Sequence, residues 1–133
     1  SGLCLISVRD ADKLAAVDVA RRLVAQGFTL AATGGTAGAL EAAGLAVRTV
    51  NKVAEGRPHI VDLIKNDEAA MIINTTEGRR AILDSASIRA SAEQHKVFYT
   101  TTLAAAEAVC MALEQETDIT VRRLQDLHES IAV

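Results

Sequence analysis

The sequence has no tryptophan, a single proline and only three aromatic side chains in 133 residues: Phe28, Phe98 and Tyr99. So few rings exclude a platform for single-stranded nucleic acid, which stacks its bases on aromatic faces. Positive charge is not in excess either. Fourteen Lys and Arg stand against 17 Asp and Glu, a net charge of −3, whereas a binder of the phosphate backbone is normally basic. No nucleic-acid partner is expected. Cysteine is scarce as well: Cys4 sits in an apolar strand pattern and Cys110 in an Ala-rich helical one. Two such separated thiols give neither a zinc spacing nor a disulfide framework, and both read as buried fillers. No apolar run reaches about 18 residues, which excludes a helical membrane span. Ser1-Gly2 leads straight into a strand and leaves no room for a signal peptide. Starting without Met, the chain reads as a piece of something larger, in a cytoplasmic setting.

What is present is an aliphatic α/β pattern. Half the residues are hydrophobic, almost all Ala, Val, Leu or Ile, as expected where helices cover both faces of a sheet. The length fits one domain spanning residues 1–133. Short apolar runs predict strands at Leu3–Val8, Thr29–Ala32, Val47–Val50, Ala69–Ile73 and Val97–Tyr99. Between them lie helical patterns. The first is capped by Asp10 or Asp12, with Leu14, Val17, Ala20, Leu23 and Val24 as its apolar positions, and ends at Gly27. The second runs from Gly35 to Ala43 and stops at Gly44. A third begins at Pro58, whose missing N–H suits a first helical position, and runs to Lys65. A fourth spans Arg79 to Gln94 with a break expected at Asp84-Ser85, and a fifth, capped by Thr101 or Thr102, runs to about Leu113. The tail from Thr117 is weaker in pattern, with a final helix expected over Arg122–Ser130. Strand and helix alternating in this way predict a three-layer, doubly wound parallel sheet with right-handed crossovers.

Such sheets bind ligands beyond the carboxyl ends of their strands, where the strand order reverses. Those ends carry Ser7 with Lys13 just beyond, Thr33-Gly34-Gly35-Thr36, Asn51-Lys52, Asn74-Thr75-Thr76 followed by Gly78-Arg79-Arg80, and Thr100-Thr101-Thr102. Hydroxyls, amides and cations gather there and acids do not, which suits a phosphate or a sugar phosphate. Two glycines at the start of the second helix let the backbone approach an anion, and the helix aims its free N–H groups and positive dipole end at it. This is not the dinucleotide fingerprint, because Thr33 stands where the first glycine would be and the turn follows the second strand; nor is a Walker A motif present. His59, His95 and His128 form no metal spacing and no Ser-His-Asp order. Glu55 and Asp62 flank His59 and could do acid–base work, but a solvated helix end is the simpler expectation. Catalysis within the chain is not expected.

These segments together resemble the methylglyoxal-synthase-like superfamily. The resemblance rests on Ser7-Val8-Arg9-Asp10 with Lys13, Ala32-Thr33-Gly34-Gly35-Thr36, Val50-Asn51-Lys52-Val53, Glu55-Gly56-Arg57-Pro58-His59 and Asn74-Thr75-Thr76-Glu77-Gly78-Arg79-Arg80. It covers roughly residues 3–130 and is strongest toward the carboxyl-terminal allosteric domain of carbamoyl phosphate synthetase large subunits. It implies a five-stranded parallel sheet of order 3-2-1-4-5 without catalysis, metal or cofactor of its own. The parent synthetase it implies is a glutamine-hydrolysing ligase using ATP with Mg, feeding the pyrimidine and arginine pathways. Nucleotide effectors (UMP and IMP), the rest of the large subunit, a glutaminase small subunit and homo-oligomer contacts are the implied partners.

By matching motif, Lys13, Thr33, Thr36 and Lys52 would hold the effector phosphate, with Gly34 and Gly35 forming its turn. Asn74, Thr75 and Thr76 would meet the ribose or base, with Ser7 and Arg79 nearby. Some members have His where this chain has Gly34. Members that answer to ornithine resemble Tyr-Asp-Thr where this chain reads Tyr99-Thr100-Thr101; these three residues are the expected second effector site, and the synthetase carrying the domain is expected to respond weakly or not at all to ornithine. The enzyme alternative, a phosphate lyase of methylglyoxal synthase type acting on dihydroxyacetone phosphate, needs a carboxylate base after strand three and an Asp after strand four; at the latter place Asn74-Thr75-Thr76 offers none. A purely structural assembly module, using the Ala-rich helix after Thr102, is the third reading.

Overall fold

The computed structural model describes residues 2–51, 59–75 and 79–116, and of residues 79–84 the helical backbone alone. Five strands, β1 (Gly2–Ser7), β2 (Phe28–Thr33), β3 (Arg48–Val50), β4 (Ala69–Asn74) and β5 (Phe98–Thr100), form one sheet. All pairings are parallel, in the order β3-β2-β1-β4-β5. The chain fills one half of the sheet, returns past β1 and fills the other. The order therefore reverses between β1 and β4, and a crevice opens at their carboxyl ends.

Four crossover helices and one that follows β5 cover this sheet: α1 (Lys13–Ala25), preceded by a 3-10 turn at Asp10–Asp12, then α2 (Gly34–Ala42), α3 (Ile60–Lys65), α4 (Arg79–Gln94) and α5 over residues 103–116. Side chains alternate across a strand, and β1 shows it. Cys4 and Ile6 join a core with α1, α2 and α5, while Leu5 joins the opposite core with α3 and α4. Both thiols are fully buried, and burial pushes that of Cys4 up to about 12, so it is inert filler. Arg22 on α1 grips Glu114 on α5 through two hydrogen bonds of 2.6 and 3.2 Å, which ties the last helix to its layer.

Several local expectations differ from the structure. The buried face of α1 is Ala16, Val19, Ala20 and Leu23, while Leu14 is 88% exposed and Val24 is also exposed. Ala20 and Leu23 are buried as expected and Val17 packs against the core, but Leu14 and Val24 lie outside the buried face, where Ala16 and Val19 stand instead. Neither Asp10 nor Asp12 caps α1 by its side chain; they pair instead with Lys13 and Arg9. The third helix starts at Ile60, not at Pro58, and its cap is His59: Nδ1 accepts from the Val61 N–H at 3.2 Å, while Asp62 accepts from the His59 N–H at 2.9 Å. His59 is therefore a largely buried capping residue, not a solvated helix end. Pro58 itself, with Lys52 through Arg57, lies outside the described residues. Helix α4 is continuous through Asp84-Ser85. Thr102 caps α5, its hydroxyl accepting from the Ala105 N–H at 3.2 Å. The expected tail helix lies outside the described residues.

Where α1 and α2 end, Gly27 and Gly44 adopt φ of +93° and +87°, the left-handed stop that costs glycine least. Asp67 and Lys96, after α3 and α4, hold similar positive φ without being glycine.

Candidate functional site

Parallel register brings the strand ends together. Ser7 stands opposite Asn74, Thr33 opposite Val50, and Ile73 opposite Thr100. Around the β1 end, Thr33 is 1% exposed and its hydroxyl donates to Ser7 Oγ at 3.0 Å. Thr36, equally buried, accepts from the Val8 N–H at 3.1 Å and donates to the Val8 carbonyl at 3.4 Å. These two threonines lock the start of α2 onto the end of β1, so the helix start is held rigidly in the crevice.

That helix start is open. Thr33 is its N-cap in extended conformation, yet makes no side-chain cap bond, which leaves the first N–H groups of α2 uncapped by a side chain. Lys13 lies over them: its Nζ is 3.0 Å from the point a Cβ on Gly35 would occupy. A cation and the positive end of a helix share one spot, with Asp10 as the ammonium's acidic partner. An anion with several oxygens could accept from Lys13 and the α2 N–H groups at once.

Gly35→Ala is a direct probe. The new methyl group would meet the Lys13 ammonium at 3.0 Å and make it give slightly, so phosphate affinity should fall, by about threefold at most. Stability should rise by up to about 1 kcal/mol, because alanine replaces glycine inside a helix. Gly34→Ala meets nothing within 4 Å and serves as the control. Phosphate titration and thermal unfolding of both variants check the pair of expectations.

Thr75 closes the crevice from β4. Its N–H donates to the Ser7 carbonyl at 3.0 Å, and its hydroxyl accepts from the Arg9 N–H at 3.0 Å. The same hydroxyl, and after it Arg9, holds the Asp12 carboxyl below the usual aspartate value of 3.8. Asp12 is therefore a charged tie at neutral pH, and its contribution fades only as pH falls through that lowered value.

Beyond the rim, between α4 and β5, lies a second opening, a cleft of about 390 Å³ lined by Asn74, Ser85, Arg89, Glu93, Tyr99 and Thr101 among others. Thr100 points away from it: it is buried, and its hydroxyl donates to the Thr102 carbonyl at 3.4 Å. Of the residues singled out in the sequence, Ser7, Lys13, Thr33, Gly34, Gly35, Thr36, Asn74 and Thr75 converge on the crevice, and Tyr99 and Thr101 line the cleft beside it. Lys52 and Thr76 lie outside the described residues, as does the side chain of Arg79. Sequence reasoning missed Ser85, Arg89 and Glu93. Their spacing of four residues, one polar face of α4 beside the buried Ile88 and Ala92, was the available signal. Among the described residues no group of His, Cys, Asp and Glu could hold a metal ion, and no helix is long and apolar enough to cross a membrane.

The model of the MGS-like domain family matches residues 15–101 of this chain. Among curated proteins, the carbamoyl phosphate synthase large chain of Pseudomonas putida is 62% identical over 130 residues, covering 98% of this chain and 12% of that protein. The large chain of Halomonas eurihalina is 62% identical over 127 residues, 96% of this chain and 12% of the relative. That of Xanthomonas axonopodis pv. citri is 54% identical over 130 residues, 98% and 12% respectively. The chain thus spans about one eighth of the length of these relatives.

Proposed function

The chain belongs to the MGS-like domain family, and from that premise we propose that it is the effector-binding regulatory domain of a carbamoyl phosphate synthase large chain. Its ligand is a nucleoside monophosphate such as UMP or IMP, held at the carboxyl ends of the strands. The observation that carries this reading is the Lys13 ammonium lying against Gly35 at the uncapped start of α2. Phosphate would sit there, with Ser7 and Thr33 at its edge and Lys52 supplying a second cation. The sugar and base would extend past Asn74 toward Tyr99. Ligation itself, using ATP with Mg, bicarbonate and ammonia from a glutaminase small subunit, would belong to the remaining seven eighths of the large chain, in the cytoplasm. The product would serve the pyrimidine and arginine pathways.

Binding energy becomes regulation only if the ligand prefers one state of the parent enzyme. A rim made of four strand ends and two helix starts suits that role, because small shifts of α1 and α2 change the distance between Lys13 and Gly35. The lyase alternative is disfavoured: the described residues at the end of β4 are Asn74, its last residue, and Thr75, and neither can abstract a proton.

Calorimetric titration of the chain with UMP, IMP and inorganic phosphate tests the reading, together with a phosphate-release assay on dihydroxyacetone phosphate. Saturable nucleotide binding without phosphate release is expected. Release above background that is lost in Asp62→Asn or Glu55→Gln would move the chain into the enzyme class.

A further inference from the structure

Consecutive residues at the end of β4 face opposite halves of the site. Asn74, the last residue of the strand, is turned to the far half: its Nδ2 lies 2.9 Å from Ser85 Oγ on α4 and 2.9 Å from the Tyr99 hydroxyl on β5. Thr75, also buried, turns the other way, onto the loop between β1 and α1. Its N–H continues the sheet ladder to the Ser7 carbonyl, and its Oγ1 accepts from the Arg9 N–H at 3.0 Å. A backbone N–H can only donate, and a carboxylate at neutral pH can only accept. The hydroxyl therefore has one sense: it takes the Arg9 hydrogen and gives its own to the neighbouring Asp12 carboxylate. Arg9 closes the ring, its Nε donating to Asp12 Oδ2 at 2.8 Å and its carbonyl accepting from the Asp12 N–H at 3.0 Å. The residue after Asp12 is Lys13, which opens α1. One buried hydroxyl thus fastens the turn that carries the crevice cation to β4. It has no hydrogen left for a phosphate oxygen or a base carbonyl.

We propose that Thr75 is a positioning residue for the phosphate contact: its hydroxyl seats the turn from Arg9 to Asp12, and that turn sets the Lys13 ammonium against Gly35. The family resemblance gives Thr75 to the ribose or base; the direction of its bonds gives it to the opposite end of the ligand. This deepens the effector-site reading and rests on it. The two roles differ in what they predict. A contact to sugar or base matters to UMP and not to inorganic phosphate. A residue acting through Lys13 matters equally to both, and has nothing to act through once Lys13 is gone.

Calorimetry measures the UMP and inorganic phosphate affinities of the chain, Thr75→Val, Thr75→Ser, Lys13→Ala and the double variant Lys13→Ala with Thr75→Val. Valine keeps the branched shape but leaves the Arg9 N–H and the Asp12 carboxylate without the hydroxyl between them. It should weaken both ligands by the same factor, about three- to tenfold, part of the loss expected from removing the ammonium outright. Thr75→Ser keeps the hydroxyl and should bind within about twofold of the unmodified chain. In the Lys13→Ala background the valine should cost less than about twofold, so the two losses are not additive. If thermal unfolding shows that Thr75→Val does not fold, Asp12→Ala cuts the same tie. Removing a negative charge would by itself tighten anion binding, so weaker phosphate binding in Asp12→Ala supports the inference and tighter binding overturns it. Unchanged affinities in Thr75→Val, a loss confined to UMP, or equal losses with and without Lys13 also overturn it and leave the effector site standing. An unmodified chain that binds neither ligand overturns the effector site, and the inference with it.

Discussion

Lys13→Ala is expected to weaken nucleoside monophosphate binding about ten- to a hundredfold while leaving the fold intact. A hydrogen bond to a charged group contributes about 1.5–3 kcal/mol, and each 1.4 kcal/mol is roughly a factor of ten in affinity. Lys13 is the first residue of α1 and stands partly exposed, with Asp10 as its ion-pair partner. It holds up no part of the core, so its removal subtracts charge from the crevice without opening a cavity. Lys13→Arg separates charge from shape: it keeps the cation but brings a broad fork where a compact ammonium fits against Gly35. Its affinity should fall between those of the alanine variant and the unmodified chain. Calorimetry with UMP and with inorganic phosphate checks both variants, and equal losses for the two ligands would mark the contact as one to phosphate.

Leu5→Ala should cost about 2–5 kcal/mol of folding stability, a large share of the roughly 5–15 kcal/mol that holds a domain of this size together. Leu5 is fully buried on the central strand and packs in the layer with Ala31, Val50, Leu63, Ile64 and Ile72. β1 is hydrogen-bonded on both sides, to β2 and β4, so the backbone cannot collapse into the space left by three lost carbons. Urea denaturation measures the loss, and a matched Leu14→Ser variant sets the scale. Leu14 is 88% exposed, and its replacement should change stability by no more than about 0.5 kcal/mol. A large effect at Leu14 with a small one at Leu5 would contradict the packing described.

How much of this was legible in the sequence follows from the physics of each element. Strands buried on both faces announce themselves as apolar runs, and Cys4-Leu5-Ile6 and Met71-Ile72-Ile73 needed no further context. The carboxyl ends of those runs then mark the rim, and the crevice residues could be named one by one. The edge of the buried face of α1 was only partly legible: Ala20 and Leu23 were read correctly, whereas Ala16 buries little area and was outweighed in the pattern by the exposed Leu14 and Val24. His59 was misread for a related reason: it is an uncommon cap, and Pro58 offered a more familiar helix start. The cleft beside β5 was missed because its polar face on α4 reads as an ordinary solvated helix. Only the hydrogen bonds from Asn74 reveal that this face turns inward. The order β3-β2-β1-β4-β5 cannot be read from alternation alone, since several parallel orders share it; the family resemblance supplied it, and the structure has it.

The central claim is that a nucleotide phosphate docks where Lys13 meets the start of α2. It is tested most directly by following the backbone amide resonances of the isotope-labelled chain as UMP is added. The amides of Gly34, Gly35 and Thr36 should shift most and saturate together with that of Lys13, with inorganic phosphate moving the same four. If UMP binds while these four amides stay unmoved and the shifts gather elsewhere, the phosphate does not lie at this helix start and the account is wrong.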